Sequence, residues 1–216
     1  YLDSRGRLWL ATVYGVNYAD IYKPGGSSFT FRHLLSNRKD NSGLSYNDIV
    51  MIMEDRNGYI WLASAGGGVN KILNPGEEKF RIEYFSENEG IKDDYILGLA
   101  EDIYGFIWIG TASGLSRYNP VSGIIHNFDK KNGLPEVSFS ERTAASMPSG
   151  KVLFGTMNGF YAILTDRIRE ENIKPGICLT GFQLNNSFVS PGEEGSPLDQ
   201  SISYSDRIVL KSDQSN

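Results

Sequence analysis

The sequence predicts an all-β chain: a partial β-propeller of about four four-stranded blades, followed by the first strands of a second β module. Three observations predict it. A ten-residue segment recurs four times at a spacing typical of propeller blades. Turn-forming residues stand at fixed offsets inside every copy. The composition is rich in glycine, 24 of 216 residues, and in aromatics at 12%, which suits many short strands joined by tight turns.

The four copies begin at Asp3, Asp55, Asp102 and Met147. The first three share D-x-x-G-x-[LI]-W-[LI]-[AG]-[TS], with Gly6, Gly58 and Gly105 and with Trp9, Trp61 and Trp108. The fourth keeps Gly150 but carries Leu153 at the tryptophan position. Positions 9, 61, 108 and 153 lie 52, 47 and 45 residues apart, a period that suits one blade of about four strands. In D-x-x-G the aspartate stands where a type I turn uses a side chain to bond its own backbone, and the glycine stands where φ turns positive. The segment therefore reads as a hairpin joining an innermost strand to a second strand. The tryptophan then lies mid-strand, as packing between neighbouring blades. The small [AG]-[TS] pair lets the next blade approach closely.

The flanking residues fill out each unit, and the repeats lie near 1–42, 43–89, 90–132 and 133–166. Third strands follow at Gly15–Tyr18, Gly68–Lys71, Gly114–Tyr118 and Gly159–Tyr161. Innermost strands precede the later motifs at Ile49–Met53, Tyr95–Ala100 and Phe139–Ser146, each after a Gly-Leu or Gly-Ile pair. The first unit lacks its innermost strand. Outer strands close the first three units at Phe29–Leu34, Lys79–Phe85 and Ile124–Phe128. Four blades whose ends are unpaired leave open sheet edges, so the residues are expected to be one part of a larger propeller. Because the chain opens on Tyr1-Leu2-Asp3, it reads as a piece of a longer protein.

A polar linker spans 167–174. From 175 the pattern changes to the start of a second module, with strands expected over Ile177–Leu184, Ser187–Val189 and Arg207–Leu210 and a turn at Asn185-Asn186. The 42 residues after Lys174 are too few for a complete sandwich of about 100.

Charge and rare residues narrow the function classes. The formal net charge is −5 with no basic block, which argues against nucleic acid or anionic lipid as a partner. A single cysteine, Cys178, excludes a disulfide within the chain and a multi-cysteine metal site. His33 and His126 are the only histidines; they fall on outer strands with no Asp or Ser pattern around them. No metal, no cofactor and no catalytic residue is expected. Asp3, Asp55 and Asp102 read as turn caps rather than as calcium ligands or acids. A sialidase box would place its aspartate two residues before the glycine, and here the interval is three. Gly66-Gly67-Gly68 reads as a hairpin tip, since no helix follows it to make a phosphate cradle. The doublets Asp93-Asp94 and Glu193-Glu194 read as solvated loop residues.

At these residues a resemblance becomes specific. D-x-x-G-x-[LI]-W-[LI]-G-T, then x-x-G-[LV], then a Tyr or Asn, resembles the two-component regulator propeller repeat. Gly133-Leu134-Pro135 followed by 150–160 resembles its last blade. Lys174–Asn186 and Ile208–Leu210 resemble the opening of the triple-tyrosine domain, which is Ig-like and follows such propellers. The resemblance covers essentially the whole chain. It implies the periplasmic sensor region of a hybrid two-component histidine kinase, as in gut Bacteroidetes, with seven-bladed propellers, a membrane helix and a kinase elsewhere in the parent chain. It also implies an oligosaccharide ligand and a homodimer in the full sensor. This chain departs from the pattern at Leu153, and it stops at Asn216, where the tyrosine-bearing strands would continue.

The expected ligand face is the loop face. There the segments before each innermost strand meet the turns between second and third strands, offering Tyr14, Tyr46, Asn47, Asp48, Asp94, Tyr95 and Asn158. Amides, carboxylates and aromatic faces are what sugar hydroxyls and pyranose CH faces require. Two other classes stay open: a propeller enzyme acting on polysaccharide, as hydrolase or lyase (a streptogramin lyase among them), and a purely protein-interaction propeller.

Overall fold

In a computed structural model of the chain, residues 1–21, 29–37, 43–130, 134, 138–168, 181–184, 186–193, 196–204 and 207–210 are described. The chain divides into two compact units, 1–169 and 170–216. Helical structure among the described residues is confined to short 3-10 turns, and no helix among them is long and apolar enough to cross a membrane.

The first unit contains four antiparallel sheets that follow the repeat. The first is β1 (Arg7–Thr12), β2 (Gly15–Asp20) and β3 (Arg32–Leu34). The second is β4 (Ile49–Glu54), β5 (Ile60–Ser64), β6 (Val69–Ile72) and β7 (Ile82–Phe85). The third is β8 (Ile96–Glu101), β9 (Ile107–Thr111), β10 (Gly114–Tyr118) and β11 (Ile125–Phe128). The fourth is β12 (Phe139–Ser146), β13 (Lys151–Thr156) and β14 (Gly159–Leu164). In each, sequence neighbours pair side by side. The first sheet has a stub in its innermost place. Tyr1 and Trp9 exchange backbone hydrogen bonds of 2.9 and 2.8 Å, in the register that Met53 keeps with Trp61 and Ala100 with Trp108.

Period-2 alternation decides which sheet each side chain meets. Trp9, Trp61 and Trp108 are fully buried. Each points toward the following sheet: Trp9 clusters with Ile60 and Leu62, Trp61 with Ile107 and Ile109, and Trp108 with Val152 and Phe154. The aliphatics flanking each tryptophan therefore face the tryptophan before them. β5 and β9 are buried on both faces, as sheets packed on two sides must be. Leu10 of the first sheet has no sheet before it and is 40% exposed.

The turns follow the expected chemistry and add a bond that the sequence does not announce. In each of the first three repeats, one aspartate oxygen accepts two backbone amides. Asp55 Oδ1 takes Asn57 N at 2.9 Å and Tyr59 N at 3.0 Å, and Asp3 and Asp102 do the same. The other oxygen accepts the indole Nε1–H of the repeat's own tryptophan, at 2.8, 2.7 and 2.8 Å for Trp9, Trp61 and Trp108. Gly6, Gly58, Gly105 and Gly150 all have φ near +80°. The fourth repeat, with Met147 and Leu153, keeps only the backbone turn, with Gly150 N donating to Met147 O at 2.9 Å.

A cation sits over each of the first three indoles. Lys71 and Arg117 stand opposite Trp61 and Trp108 on the third strand, over Tyr59 and Phe106, the residues just before the second strand. In the first sheet the order is reversed: Arg7 is on the second strand and Tyr18 opposite Trp9. Arg7 is held by Asp20 at 2.6 Å.

Three expectations need correction. The outer strands are shorter than the apolar pattern suggests. In the second sheet the Asn74 side chain binds Lys79 O and Arg81 N at 2.9 and 2.6 Å, so those residues close a loop and pairing begins at Ile82. Residues 207–210 form no strand, since a strand needs a partner ladder and none pairs with them among the described residues. The doublet Asp93-Asp94 is not merely solvated: Asp93 accepts Tyr95 N at 2.8 Å and also the Ser113 hydroxyl, and Asp94 accepts Glu87 N at 2.8 Å.

In the second unit, β15 (Gln183–Leu184) and β16 (Ser187–Phe188) make a small hairpin. Asn186 takes φ 61° in its turn, as expected of an asparagine there. The expected linker lies outside the described residues from 169 to 174, as do 175–180 of the next strand, Asn185, and Gly133 and Pro135.

Candidate functional site

The loop side of the first unit is built by two sets of segments tied by backbone bonds. The turn between β1 and β2 is closed by Thr12, whose hydroxyl donates to Gly15 O at 2.8 Å and accepts Tyr14 N at 3.1 Å. Ser64, Thr111 and Thr156 donate in the same way to Gly68, Gly114 and Gly159. The [TS] position is thus a turn cap. The [AG] position does allow close approach, with Gly110 set against Phe154 of the next sheet. These turns bond to the segments before the innermost strands, both of their own sheet and of the next. Gly15 N donates to Asn47 O at 2.7 Å, Ala65 N to Asp48 O at 2.9 Å, Gly68 N to Asp94 O at 2.8 Å, and Ala112 N to Tyr95 O at 3.0 Å. The backbones of Asn47 and Asp94 therefore join consecutive sheets, as does the bridge between Ala65 and Tyr95, while Asp48 O and Tyr95 O close turns of their own sheets; the side chains of all four are left at the loop surface.

Between the first and second sheets these segments enclose a cleft of about 570 Å³ lined by Val13, Tyr14, Ser36, Tyr46, Asn47 and Asp48. The Asn47 amide oxygen accepts Ser36 N at 2.7 Å, which fixes the amide group at the wall. Tyr14 is 81% exposed and Tyr46 40%, so both rings are available to a ligand. Four of the seven expected residues thus meet in one cleft.

Asp94 and Tyr95 occupy the matching place one repeat on. Tyr95 donates its hydroxyl to Glu141 Oε1 at 2.9 Å. That bond, then burial, then the negative charges of Glu141 and Asp48, raise the Tyr95 phenol above its ordinary value. Asn158 stands exposed in the turn between β13 and β14 and is not part of the cleft lining.

Sequence reasoning missed Val13, Ser36 and Glu141. The signal for Glu141 was present as a polar run, Ser140-Glu-Arg-Thr143, inside an expected innermost strand. His33 on β3 and His126 on β11 are exposed on outer strands. Among the described residues no three His, Cys, Asp or Glu side chains converge as a metal ion would require.

Two segments, 43–66 and 90–113, match the Two component regulator propeller family. They cover the hairpin from the loop-side segment through the [TS] turn of the second and third sheets. Along its whole length the chain is 24% identical to Histidine kinase P4 of Formosa agariphila, of which it spans 15%. Among solved structures, PorZ, a surface component of the type-IX secretion system of Porphyromonas gingivalis, aligns over 76% of this chain and 25% of its own at 16% identity, with a TM-score of 0.53. The extracellular domain of the hybrid two-component system BT3049 from B. thetaiotaomicron aligns over 89% of this chain and 32% of its own at 21% identity, with a TM-score of 0.43. The chain therefore spans only a small part of the relatives it matches. With its stacked antiparallel sheets it is an all-β protein of the propeller type.

Proposed function

We propose that the chain belongs to the extracytoplasmic, periplasmic sensing region of a hybrid two-component histidine kinase and binds an oligosaccharide on its loop face. The observation that carries this reading is the 570 Å³ cleft between the first two sheets, formed by segments that include a family-matched repeat. Its two exposed tyrosine rings suit pyranose CH faces, and its amide and carboxylate suit hydroxyls. The relative's histidine kinase name supports a parent chain with a kinase outside these residues; further blades and the remainder of a triple-tyrosine domain that begins at 175 belong to the same proposal. Binding would be passed on by favouring one of two arrangements of a homodimer, through a difference in affinity between them.

Calorimetry of the chain against a glycan panel, with assays for hydrolysis and elimination products on the same mixtures, tests this. Binding without turnover is expected, and Tyr14→Ala and Tyr46→Ala should each weaken it about tenfold, the loss of one stacking contact worth about 1.4 kcal/mol. Turnover of any glycan would replace the sensor reading with a propeller enzyme. Absence of binding across the panel would leave a protein-interaction propeller.

A further inference from the structure

The innermost strands share an irregularity, and in one of them it is enlarged. In β4 and β8 a bulge of one extra residue falls between Ile49 and Met51 and between Ile96 and Gly98. In β12 the same place, just after Phe139, holds three extra residues before pairing resumes at Ala144. The enlarged bulge includes Arg142, whose backbone stands at φ 60°, a left-handed region unfavourable to a residue with a Cβ. Thr143 braces it by donating to Ser140 O at 2.6 Å. Bulges of this kind redirect a side chain. Here the redirected side chain is Glu141, which reaches back to the preceding sheet and accepts the Tyr95 hydroxyl. The Tyr95 ring is 38% exposed. Its backbone is fixed by Ala65 and Ala112, and its hydroxyl is tied at the far end. Asp48 acts on the same phenol and lines the cleft beside Tyr46 and Tyr14. Among the described residues, the cleft lining includes an amide, three hydroxyls and one carboxylate but no Lys or Arg.

We infer that the enlarged bulge of β12 makes Glu141 a positioning residue that locks Tyr95 as a third stacking platform, extending the cleft into a site for an uncharged oligosaccharide. This rests on the sensing role proposed above. A tethered ring loses less freedom when a sugar stacks on it than a free one. An acidic sugar would meet Asp48 with no cation among the described lining residues to offset it.

The test uses the 216-residue chain, calorimetry, and tetrasaccharides of two kinds: neutral (xylo-, manno- and laminari-) and acidic (galacturonate and mannuronate). Wild type should bind at least one neutral probe and neither acidic one. Glu141→Ala and Tyr95→Phe should each weaken that binding at least fivefold, and the double variant should weaken it no further than either alone. Glu141→Gln, which retains an acceptor oxygen, should restore most of the affinity. Alkaline difference spectroscopy supplies a readout without ligand: in Glu141→Ala one tyrosine should ionise at lower pH than in wild type. Wild-type affinity in Glu141→Ala and Tyr95→Phe, additive losses in the double variant, or an unchanged tyrosine titration would overturn the positioning role and leave the sensor reading intact. Preference for the acidic probes would overturn the ligand class alone. Failure of wild type to bind any probe would overturn both this inference and the oligosaccharide reading beneath it.

Discussion

Asp55 closes its turn with one carboxylate oxygen and holds the Trp61 indole with the other. The side chain is buried with its partners, so its loss leaves two amides and an indole N–H without an acceptor. Asp55→Ala is expected to cost about 2–4 kcal/mol, since each bond to a charged group is worth about 1.5–3 kcal/mol and such losses do not fully add. Trp61→Ala should cost about 3–5 kcal/mol. The fourth repeat, where Met147 and Leu153 change together, shows how the pair can be dispensed with. Asp55→Met with Trp61→Leu should therefore cost about 1–2 kcal/mol less than the sum of the two single changes. Urea unfolding of the four proteins measures this coupling, and simple additivity would show that the bond has no weight. The co-occurrence of aspartate and tryptophan six residues apart was visible in the sequence. That they touch was not, because only the hairpin folds the indole edge back onto the turn.

At the level of strands and turns, glycine placement and sheet-to-sheet bonds carry the packing. Gly68 has φ 71°, and a Cβ there would lie 2.0 Å from Phe85 O. That contact is backbone and cannot move aside, so Gly68→Ala should lower stability by more than about 1 kcal/mol in thermal unfolding. Arg56 bridges the second and third sheets through Glu101 and the carbonyls of Asp102 and Ile103, yet it is close to half exposed. Arg56→Ala should cost no more than about 1 kcal/mol, and less in high salt. The strand order was legible because hairpins pair sequence neighbours and D-x-x-G fixes where each turn falls. The outer strand ends were not, because the Asn74 side chain decides where pairing starts, and a propensity pattern does not register a competing side-chain bond.

At the scale of the whole molecule, each hydrophobic core lies between consecutive sheets, so no sheet is stable without its neighbour. Tyr118 illustrates the coupling: it is buried between Trp61 and Phe85 of the preceding sheet. Burial, and then the charge of Glu83, raise its phenol above the ordinary value. A phenol that holds its proton more tightly folded than unfolded stabilises the fold below the unfolded value. That contribution is lost as pH rises through the folded one. Stability should therefore decline above about pH 10, and Tyr118→Phe should reduce the decline seen in denaturant titrations at pH 9 to 11.

Local signals by themselves determined the repeat, the hairpins, the burial of the three tryptophans and the set of residues left at the loop face, because turn chemistry and period-2 alternation act over a few residues. Tertiary structure alone decided which sheet each tryptophan meets, that Tyr14 and Tyr46 share one cleft with Asn47 and Asp48, and that Glu141 reaches Tyr95 across 46 residues of chain. Such contacts depend on how consecutive sheets are offset and on a three-residue bulge, and a one-dimensional pattern contains neither.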